Sequence, residues 1–213
     1  MRINIGCGQT PTKGWRNFDN SVSVKLSKVP LVPEFLLRLG VIDQSQYEFI
    51  QFCRSHSIEY GNATKGLPIP DGQVDVLYSS HMFEHLDQQE AVLFLKEARR
   101  VLRSKGIIRI AVPDIRVQVQ QYLETKDADQ LISGTFLTMP RPRTISSRVK
   151  MILVGTRHHQ WMYDGASLSR FLKVQGFAAP AVLKAGETHI DNPENLDLHE
   201  RCSESVYVEA VNP

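Results

Sequence analysis

The sequence has few cysteines and almost no net charge. Its 213 residues include Cys7, Cys53 and Cys202, whose odd number and scattered positions fit neither a disulfide framework nor a zinc ribbon. A reducing compartment is therefore expected. Lys and Arg total 25 against 23 Asp and Glu, a net charge of +2. The strong basic excess of a dedicated DNA-binding protein is missing, so no DNA partner is expected, although a local basic patch stays open.

Long apolar runs are also missing. No stretch approaches the roughly 20 apolar residues that span a bilayer, and the start of the chain lacks the pattern of a secretory signal. Hydrophobic residues make up 42% and charged residues 23%, which is typical of a globular domain rather than a disordered chain. We therefore expect a cytoplasmic protein with one domain over residues 1–213.

Short apolar runs alternate with helical patterns, which favours an α/β sheet over a sandwich. Asp87 followed by Glu90 forms a capping box that predicts the start of a helix. Gly40 is predicted to divide a helical stretch over residues 31–52, and further helices are predicted around residues 117–123 and 168–174. Strands are predicted at residues 2–5, 17–19, 58–63, 74–79, 107–112, 180–184 and 206–211.

The first predicted strand runs into a glycine turn at Gly6-Cys7-Gly8. Glycines at such a turn let the backbone approach a ligand closely and adopt positive φ. A dinucleotide-binding fingerprint needs a third glycine and a ribose-binding acid about 20 residues on, after a full helix. Here Asp19 comes too soon and residues 11–14 can hardly hold a helix, so NAD binding is disfavoured, and a plain tight turn is the alternative.

An ordered set of segments resembles the class I S-adenosylmethionine-dependent methyltransferases, and in particular small type-11-like methyltransferases often linked to polysaccharide and cell-envelope glycan synthesis. The similar segments are residues 3–8, 14–19, 67–76, 79–86, 97–102, 106–110, 157–164 and 204–210. The resemblance implies a Rossmann-like α/β fold: a seven-stranded, mostly parallel sheet with helices on both faces. Residues 134–160 interrupt the regular alternation of strands and helices and hold Pro140, Pro142 and a run of basic residues, so this segment is interpreted as a lid or substrate-binding insertion.

The activity implied is O-methylation of a small-molecule or glycan hydroxyl by S-adenosylmethionine. Two alternatives stay open. One is a catalytically silent, cofactor-binding partner subunit in glycan assembly. The other is a methyltransferase that acts on protein or nucleic acid. The oligomeric state is not indicated by the sequence.

The resemblance also implies a cofactor site. The backbone of residues 6–8 would lie against the methionine portion, and Asp19 would accept hydrogen bonds from both ribose hydroxyls. Asn62, where many relatives carry Asp, would accept from the adenine amino group and flank the ring with Ala63. The cofactor-binding residues expected are Ile5, Gly6, Cys7, Gly8, Asp19, Asn62, Ala63, Ser80 and His81.

A hydroxyl acceptor needs a general base by the time charge develops, and histidine suits that role near neutral pH. His81 is the first candidate because it follows the fourth strand of the fold, where open α/β sheets place their ligands. His158 and His159 come next. A purely structural role is the alternative for each of these histidines.

Glu84 and His85 are interpreted as structural residues, since Glu84 would favour the positive end of a helix that begins there. A metal site is the alternative, because the spacing of His81, Glu84 and His85 groups two imidazoles with a carboxylate. Such a set suits Zn or Fe better than Mg. No metal ligand is assigned from the sequence.

The segment over residues 134–160 carries five basic residues without an intervening acid: Arg141, Arg143, Arg148, Lys150 and Arg157. It is either a solvated loop or a docking surface for phosphate or carboxylate, as on an anionic glycan acceptor. Its apolar residues also allow contact with an anionic membrane surface. Trp161 and Tyr163 either stack on a sugar ring or pack the lid. The substrate-binding residues expected are Asp114, Arg157, Trp161 and Tyr163.

Overall fold

A seven-stranded sheet forms the centre of the protein. The computed structural model describes residues 1–138 and 158–213. The strands are β1 Arg2–Ile5, β2 Arg16–Asp19, β3 Glu59–Tyr60, β4 Val74–Ser80, β5 Leu102–Pro113, β6 Ala178–Leu183 and β7 Ser205–Val211, in the order β3-β2-β1-β4-β5-β7-β6. The first five strands pair in parallel, and β7 runs antiparallel to both β5 and β6. The predicted seven-stranded, mostly parallel sheet is confirmed.

Seven α-helices lie in the described ranges: α1 Val22–Ser27, α2 Val32–Arg38, α3 Gln44–Ser55, α4 Gln88–Val101, α5 Ile115–Thr125, α6 Ala128–Thr135 and α7 Gly165–Val174. The capping box of Asp87 and Glu90 is present at the start of α4. The break predicted near Gly40 separates α2 from α3. Helix α1 was not predicted, because six residues carry too little periodicity to stand out.

The connection from β1 to β2, residues 6–15, contains no helix, as the sequence indicated. Parallel strands are usually joined by a longer crossover with a helix, and here two asparagines replace it. The Asn4 amide donates to the carbonyl of Thr10 (3.2 Å) and to Oγ1 of Thr12 (3.2 Å). Asn17 accepts from the backbone N–H of Thr12 (2.8 Å) and donates to the carbonyls of Thr12 and Trp15. Side-chain hydrogen bonds thus fix the loop.

The main core lies between one face of the sheet and the helices α4 and α7. Phe94 and Leu95 of α4 and Leu168 and Leu172 of α7 are fully buried there against the apolar side chains of the strands. Each such side chain contributes roughly 1.5–3 kcal/mol of transfer free energy. Helices α1 and α3 belong to a separate small cluster beside β3.

Loops cover the other sheet face over β4, β5 and β7. Trp15 from the first connection packs there together with Ile190 and Leu196 from the segment that follows β6. A fully buried ion pair ties that segment to the sheet: Nη1 of Arg109 donates to Oε1 of Glu209 over 2.7 Å. Oγ1 of Thr188 and the backbone N–H of His189 donate to the same carboxylate.

The predicted insertion over residues 134–160 lies mostly outside the described residues. Residues 139–157 are not described, and they include Arg141, Arg143, Arg148, Lys150 and Arg157. Helix α6 ends at Thr135, just inside the predicted boundary. Within residues 1–138 and 158–213, no helix is both long enough and apolar enough to cross a membrane.

Candidate active site

A pocket opens at the carboxyl ends of β1, β2 and β4, the edge where open α/β sheets hold their ligands. Of the expected cofactor residues, Ile5, Gly6, Asn62 and Ala63 line it directly. Its other lining residues, which the sequence analysis did not single out, are Asn20, Gly61, Thr64, Met82, Leu86 and Phe94. The sheet topology therefore brings the chain at the ends of β1, β2, β3 and β4 to one pocket, together with Phe94 of α4.

The glycine turn is shaped for close approach. The backbone N–H groups of Gly6 and Cys7 both donate to the carbonyl of Phe18, over 2.8 and 3.1 Å. Gly6 has φ of +73°, and a Cβ placed on it would lie 2.3 Å from Cγ of Met82. Only glycine fits there. The Cys7 side chain is buried in a small cluster with Cys53, and burial raises the pKa of the Cys7 thiol, so its role at the pocket is confined to its backbone.

Asp19 ends β2 beside this turn. Its Oδ2 accepts from the backbone N–H of Gly8 (3.2 Å), and its Oδ1 accepts from that of Ser21 (2.8 Å). An ionised carboxylate has about four acceptor positions, so one remains on each oxygen. The residue is half-buried, and its carboxylate is oriented by the backbone while retaining the capacity to accept two hydroxyl groups. These features fit a ribose-binding acid.

Asn62 departs from the expectation for it. Its Oδ1 accepts from both the backbone N–H (2.9 Å) and the hydroxyl (2.8 Å) of Thr64, closing a local turn. Both lone pairs of that oxygen are therefore engaged, and none is left for an adenine amino group. The prediction that the Asn62 amide accepts from adenine is wrong for this arrangement. What Asn62 and Ala63 offer a ring is their place in the pocket wall.

Ser80 ends β4 and His81 follows it, as expected, but His81 does not present a free imidazole. Its Nε2 lies 2.8 Å from Oγ of Ser205, and its Nδ1 lies 3.2 Å from Nη1 of Arg201. A guanidinium only donates hydrogen bonds, so Nδ1 is the acceptor and Nε2–H donates to Ser205. The side chain is 7% exposed. His81 therefore does not fit the base role predicted for it, and the pocket wall is formed by its neighbour Met82.

The predicted candidates His158 and His159 lie against the turn after β4. The backbone carbonyl of Glu84 accepts from the N–H groups of Gln160 (2.8 Å) and Trp161 (3.2 Å), which ties the two segments together. Nε2 of His159 then lies 3.8 Å from Oε1 of Glu84, and Nε2 of His85 lies 4.0 Å from the same oxygen. Burial lowers the pKa of His159, which favours its neutral, proton-accepting form.

His158 acts on this group through its backbone. Its carbonyl lies 3.0 Å from Nδ1 of His85, and its own Nε2 lies 3.0 Å from the Gln160 amide nitrogen. The His158 imidazole thus has a local partner, whereas the imidazoles of His85 and His159 both face Glu84. Sequence reasoning treated Glu84 and His85 as structural; the signal for their grouping was the spacing from His81 to His85.

Some of the expected acceptor-binding residues are exposed in the structure and others are buried. Tyr163 is 2% exposed and packs against Phe83 and Phe171 in the main core, and burial raises its pKa to about 12. Stacking of Tyr163 on a sugar is therefore excluded in this arrangement. Trp161 is 47% exposed and available for contact. Asp114 caps α5 by accepting from the backbone N–H of Arg116, and Arg157 lies outside the described residues.

Comparison with known proteins agrees with this geometry. A family described as "Methyltransferase domain" matches residues 32–110. The structure is similar to an S-adenosylmethionine-dependent methyltransferase of Thermotoga maritima described as a possible histamine N-methyltransferase, with 14% identity, a TM-score of 0.54, and coverage of 99% of this chain and 81% of that one. A search of curated proteins found no match.

Two further solved structures share the fold. An S-adenosylmethionine-dependent methyltransferase of Methanosarcina mazei has 13% identity and a TM-score of 0.52 over 99% of this chain and 91% of that one. Phosphoethanolamine N-methyltransferase 2 of Haemonchus contortus, solved with S-adenosyl-L-methionine, has 11% identity and a TM-score of 0.50 over 100% of this chain and 48% of that one.

The fold is the one that the sequence indicated, the fold of class I S-adenosylmethionine-dependent methyltransferases, and residues 32–110 match a methyltransferase domain family.

Proposed function

We propose that this methyltransferase transfers a methyl group to a hydroxyl of a small molecule or a glycan. The observation that carries the proposal is the group of two imidazoles around the buried Glu84 carboxylate, directly beside the cofactor pocket. Met82 and Leu86 line that pocket, and Glu84 and His85 lie between them in the chain. A hydroxyl is a poor nucleophile until its proton is removed, so a proton acceptor at this place suits an oxygen acceptor.

The chain's own residues would hold the cofactor as follows. Asp19 accepts from the two ribose hydroxyls through the free position on each oxygen. The backbone of residues 6–8 lies along the methionine portion, and Asn62, Ala63 and Leu86 form the wall of the adenine pocket. S-Adenosylmethionine supplies its methyl group as a sulfonium substituent.

The methyl transfer needs only two reactants, the acceptor hydroxyl and S-adenosylmethionine. A lone pair of the acceptor oxygen forms the new bond to the methyl carbon, the carbon–sulfur bond breaks, and its electron pair stays on sulfur. The hydroxyl proton passes to an imidazole nitrogen of the group around Glu84, with His159 Nε2 as the first choice and His85 Nε2 as the second. The protein aligns the reacting atoms and receives that proton.

The remaining acceptor contacts are also proposals. Trp161 offers an exposed ring for stacking, and Asp114 has acceptor capacity left beyond its cap. The basic segment that includes Arg157 would attract an anionic acceptor. The three cysteines are all free, which supports a reducing, cytoplasmic location. We propose that residues 1–213 form one methyltransferase domain.

The test is transfer of labelled methyl groups from S-adenosylmethionine to paired acceptors that differ only in carrying a hydroxyl or lacking it. We expect label on hydroxyl-bearing sugars and small alcohols, and none on their deoxy analogues. Asp19→Ala should abolish transfer, while the matched control Asp197→Ala should leave it unchanged. Transfer to amines, protein or RNA alone would contradict the proposal, as would cofactor binding with no transfer to any acceptor.

A further inference from the structure

Within residues 1–138 and 158–213, the Glu84 carboxylate is buried without a hydrogen-bond partner. The residue is 1% exposed, and neither Oε1 nor Oε2 has a hydrogen bond. The nearest cationic or imidazole nitrogens lie 3.6–4.0 Å away, beyond hydrogen-bond reach. Burying an ionised carboxylate in this way costs several kcal/mol unless it is paired or coordinates a metal. In the part of the chain that the structure describes, only the neighbouring imidazoles, when protonated, bring positive charge within 4.0 Å of this carboxylate, and a bound cation would supply that charge through direct bonds.

The residues around Glu84 are metal-ligating types. One oxygen of Glu84 and one ring nitrogen each from His85 and His159 lie within 4.8 Å of one another. In a tetrahedral zinc site, bonds of about 2.0 Å place neighbouring ligand atoms roughly 3.3 Å apart. The distances from Glu84 Oε1 to the two imidazoles are 4.0 and 3.8 Å. Small side-chain rotations would therefore suffice to close the set around an ion.

A backbone contact prepares His85 as a ligand. Its Nδ1 lies 3.0 Å from the carbonyl oxygen of His158. A carbonyl only accepts, so Nδ1 donates to it, and Nε2, 4.0 Å from Oε1 of Glu84, is the nitrogen left to bind a metal. Metal-binding histidines almost always donate their other ring N–H to a carbonyl, carboxylate or water in this way.

His81 also lies next to the Glu84 carboxylate, but it is not one of the metal ligands. Its Nδ1 is 3.6 Å from Oε1 of Glu84, but Arg201 already donates to that nitrogen. The site therefore has three protein ligands and a position left over. Structural zinc sites close with four protein ligands, whereas catalytic sites keep one position open for water or substrate.

We propose that Glu84, His85 and His159 bind a divalent first-row transition metal of the zinc class, in place of the metal-free site expected from the sequence. Two imidazoles and one carboxylate suit this class, whereas Mg²⁺ prefers oxygen ligands. The position left open can take the acceptor hydroxyl, and a metal there lowers the pKa of a bound hydroxyl, so that with metal bound the proton leaves to water instead of to the ligating imidazoles. This second role rests on the proposed O-methyl transfer; the binding of the metal does not.

The test begins with protein stripped of metal by a chelator. Cobalt(II) is titrated in while its visible absorption is followed, and Zn²⁺ is then used to displace it. We expect one bound Co²⁺ per chain with the intense absorption of a tetrahedral site. Stoichiometric Zn²⁺ should displace it, and millimolar Mg²⁺ should not. Plasma mass spectrometry gives the metal content independently.

Variants locate the site. Glu84→Gln, His85→Ala and His159→Ala should each weaken Co²⁺ binding by tenfold or more, in line with the loss of a ligand. The matched control His56→Ala removes an exposed histidine that bonds only within its own helix region, and it should bind like the parent protein. If the His159 variant fails to fold, His85, which is 31% exposed, still provides a test.

The outcomes separate this inference from the proposed function. No stoichiometric binding, or binding that all three variants leave unchanged, overturns the metal site. Methyl transfer by demonstrably metal-free protein at the parent rate overturns the metal's role in acceptor activation, while the proposed function stands. Metal binding lost in the three variants and kept in His56→Ala establishes the site, even if no acceptor is found.

Discussion

Oε1 of Glu84 lies 3.8 Å from Nε2 of His159, although the two residues come from distant parts of the chain. The turn after β4 and the segment before α7 meet because the backbone carbonyl of Glu84 accepts from Gln160 and Trp161. The group of Glu84, His85 and His159 is thus built on hydrogen-bonded backbone rather than on free loops.

Gly6→Ala should disrupt the cofactor pocket. The new Cβ would lie 2.3 Å from Cγ of Met82, at a backbone φ of +73°. Gly14 also has positive φ, but its Cβ would meet open space, so Gly14→Ala should cost only about 1 kcal/mol of unfolding free energy. We expect Gly6→Ala to cost more and to abolish cofactor binding, measured by denaturant unfolding and calorimetry.

The clash itself can be isolated with a second substitution. Combining Gly6→Ala with Met82→Gly removes both colliding atoms, Cγ and Cβ of Met82, so the double variant should lose less stability than the sum of the two single variants. Strictly additive losses in the double variant would show that Met82 is not what requires glycine at this position.

Asn17→Asp should weaken the connection that stands where a helix usually does. Its Nδ2 donates to the carbonyls of Thr12 and Trp15, and a carboxylate cannot donate. Leaving buried partners unsatisfied costs about 1–3 kcal/mol for each group, so losing both should cost roughly 2–6 kcal/mol in urea unfolding. The control Asn195→Asp removes one exposed contact with Lys13 of the same loop, and an equal loss there would contradict this account.

Glu97 should make stability depend on pH in the acid range. Hydrogen bonds from Arg100 hold the pKa of Glu97 below its ordinary value, and its carboxylate also accepts from the backbone N–H of Leu67. A lowered folded-state pKa gives stability that is present above the unfolded pKa of about 4.3 and is lost as the pH falls through the folded one. The parent should therefore lose stability more steeply than Glu97→Gln below about pH 5.

The comparison is made by thermal unfolding between pH 7 and pH 3. The two proteins should differ most at pH 7 and converge at the acid end, because the parent carboxylate is protonated there. Parallel stability curves would mean that the charge of Glu97 contributes nothing to folding.

Glu209→Ala should be strongly destabilising. It would leave the guanidinium of Arg109 buried without its partner, and breaking a buried pair typically costs about 3–5 kcal/mol. The segment after β6 would also lose its contacts from Thr188 and His189. The control Glu204→Ala removes an exposed partner of Arg201, for which about 0–1 kcal/mol is expected. Similar losses in both variants, by denaturant unfolding, would contradict a role for burial.

Features that depend only on residues close together in the chain could be predicted from the sequence. The strands β1 and β4, the capping box of Asp87 and Glu90, and the break near Gly40 all follow from periodicity, capping and turn chemistry within a few residues. The place of Asp19 came from the resemblance, and its fixed carboxylate agrees with that. The missing crossover helix was also predictable, because the chain between β1 and β2 is too short for one.

Contacts between distant segments were not predictable. His81 stood out because it follows β4, but its partners Arg201 and Ser205 arrive only through the register of β7 against β5. In the sequence, Tyr163 lies next to the predicted lid. In the structure, a backbone bridge pairs it with Asp114 and its side chain is buried in the core. The error at Asn62 has a local cause: the backbone N–H and the hydroxyl of Thr64, two residues further along, both donate to its amide oxygen.

The most direct test of the account is calorimetric titration of S-adenosylmethionine and S-adenosylhomocysteine into the parent protein, Asp19→Ala, Asp19→Asn and the control Asp197→Ala. Hydrogen bonds to a charged group contribute about 1.5–3 kcal/mol each, so loss of both ribose contacts should weaken binding about 100-fold or more. We predict micromolar binding to the parent and the control, none measurable to Asp19→Ala, and weakened binding to Asp19→Asn. Equal affinity in all four proteins, or none in the parent, would contradict the cofactor site.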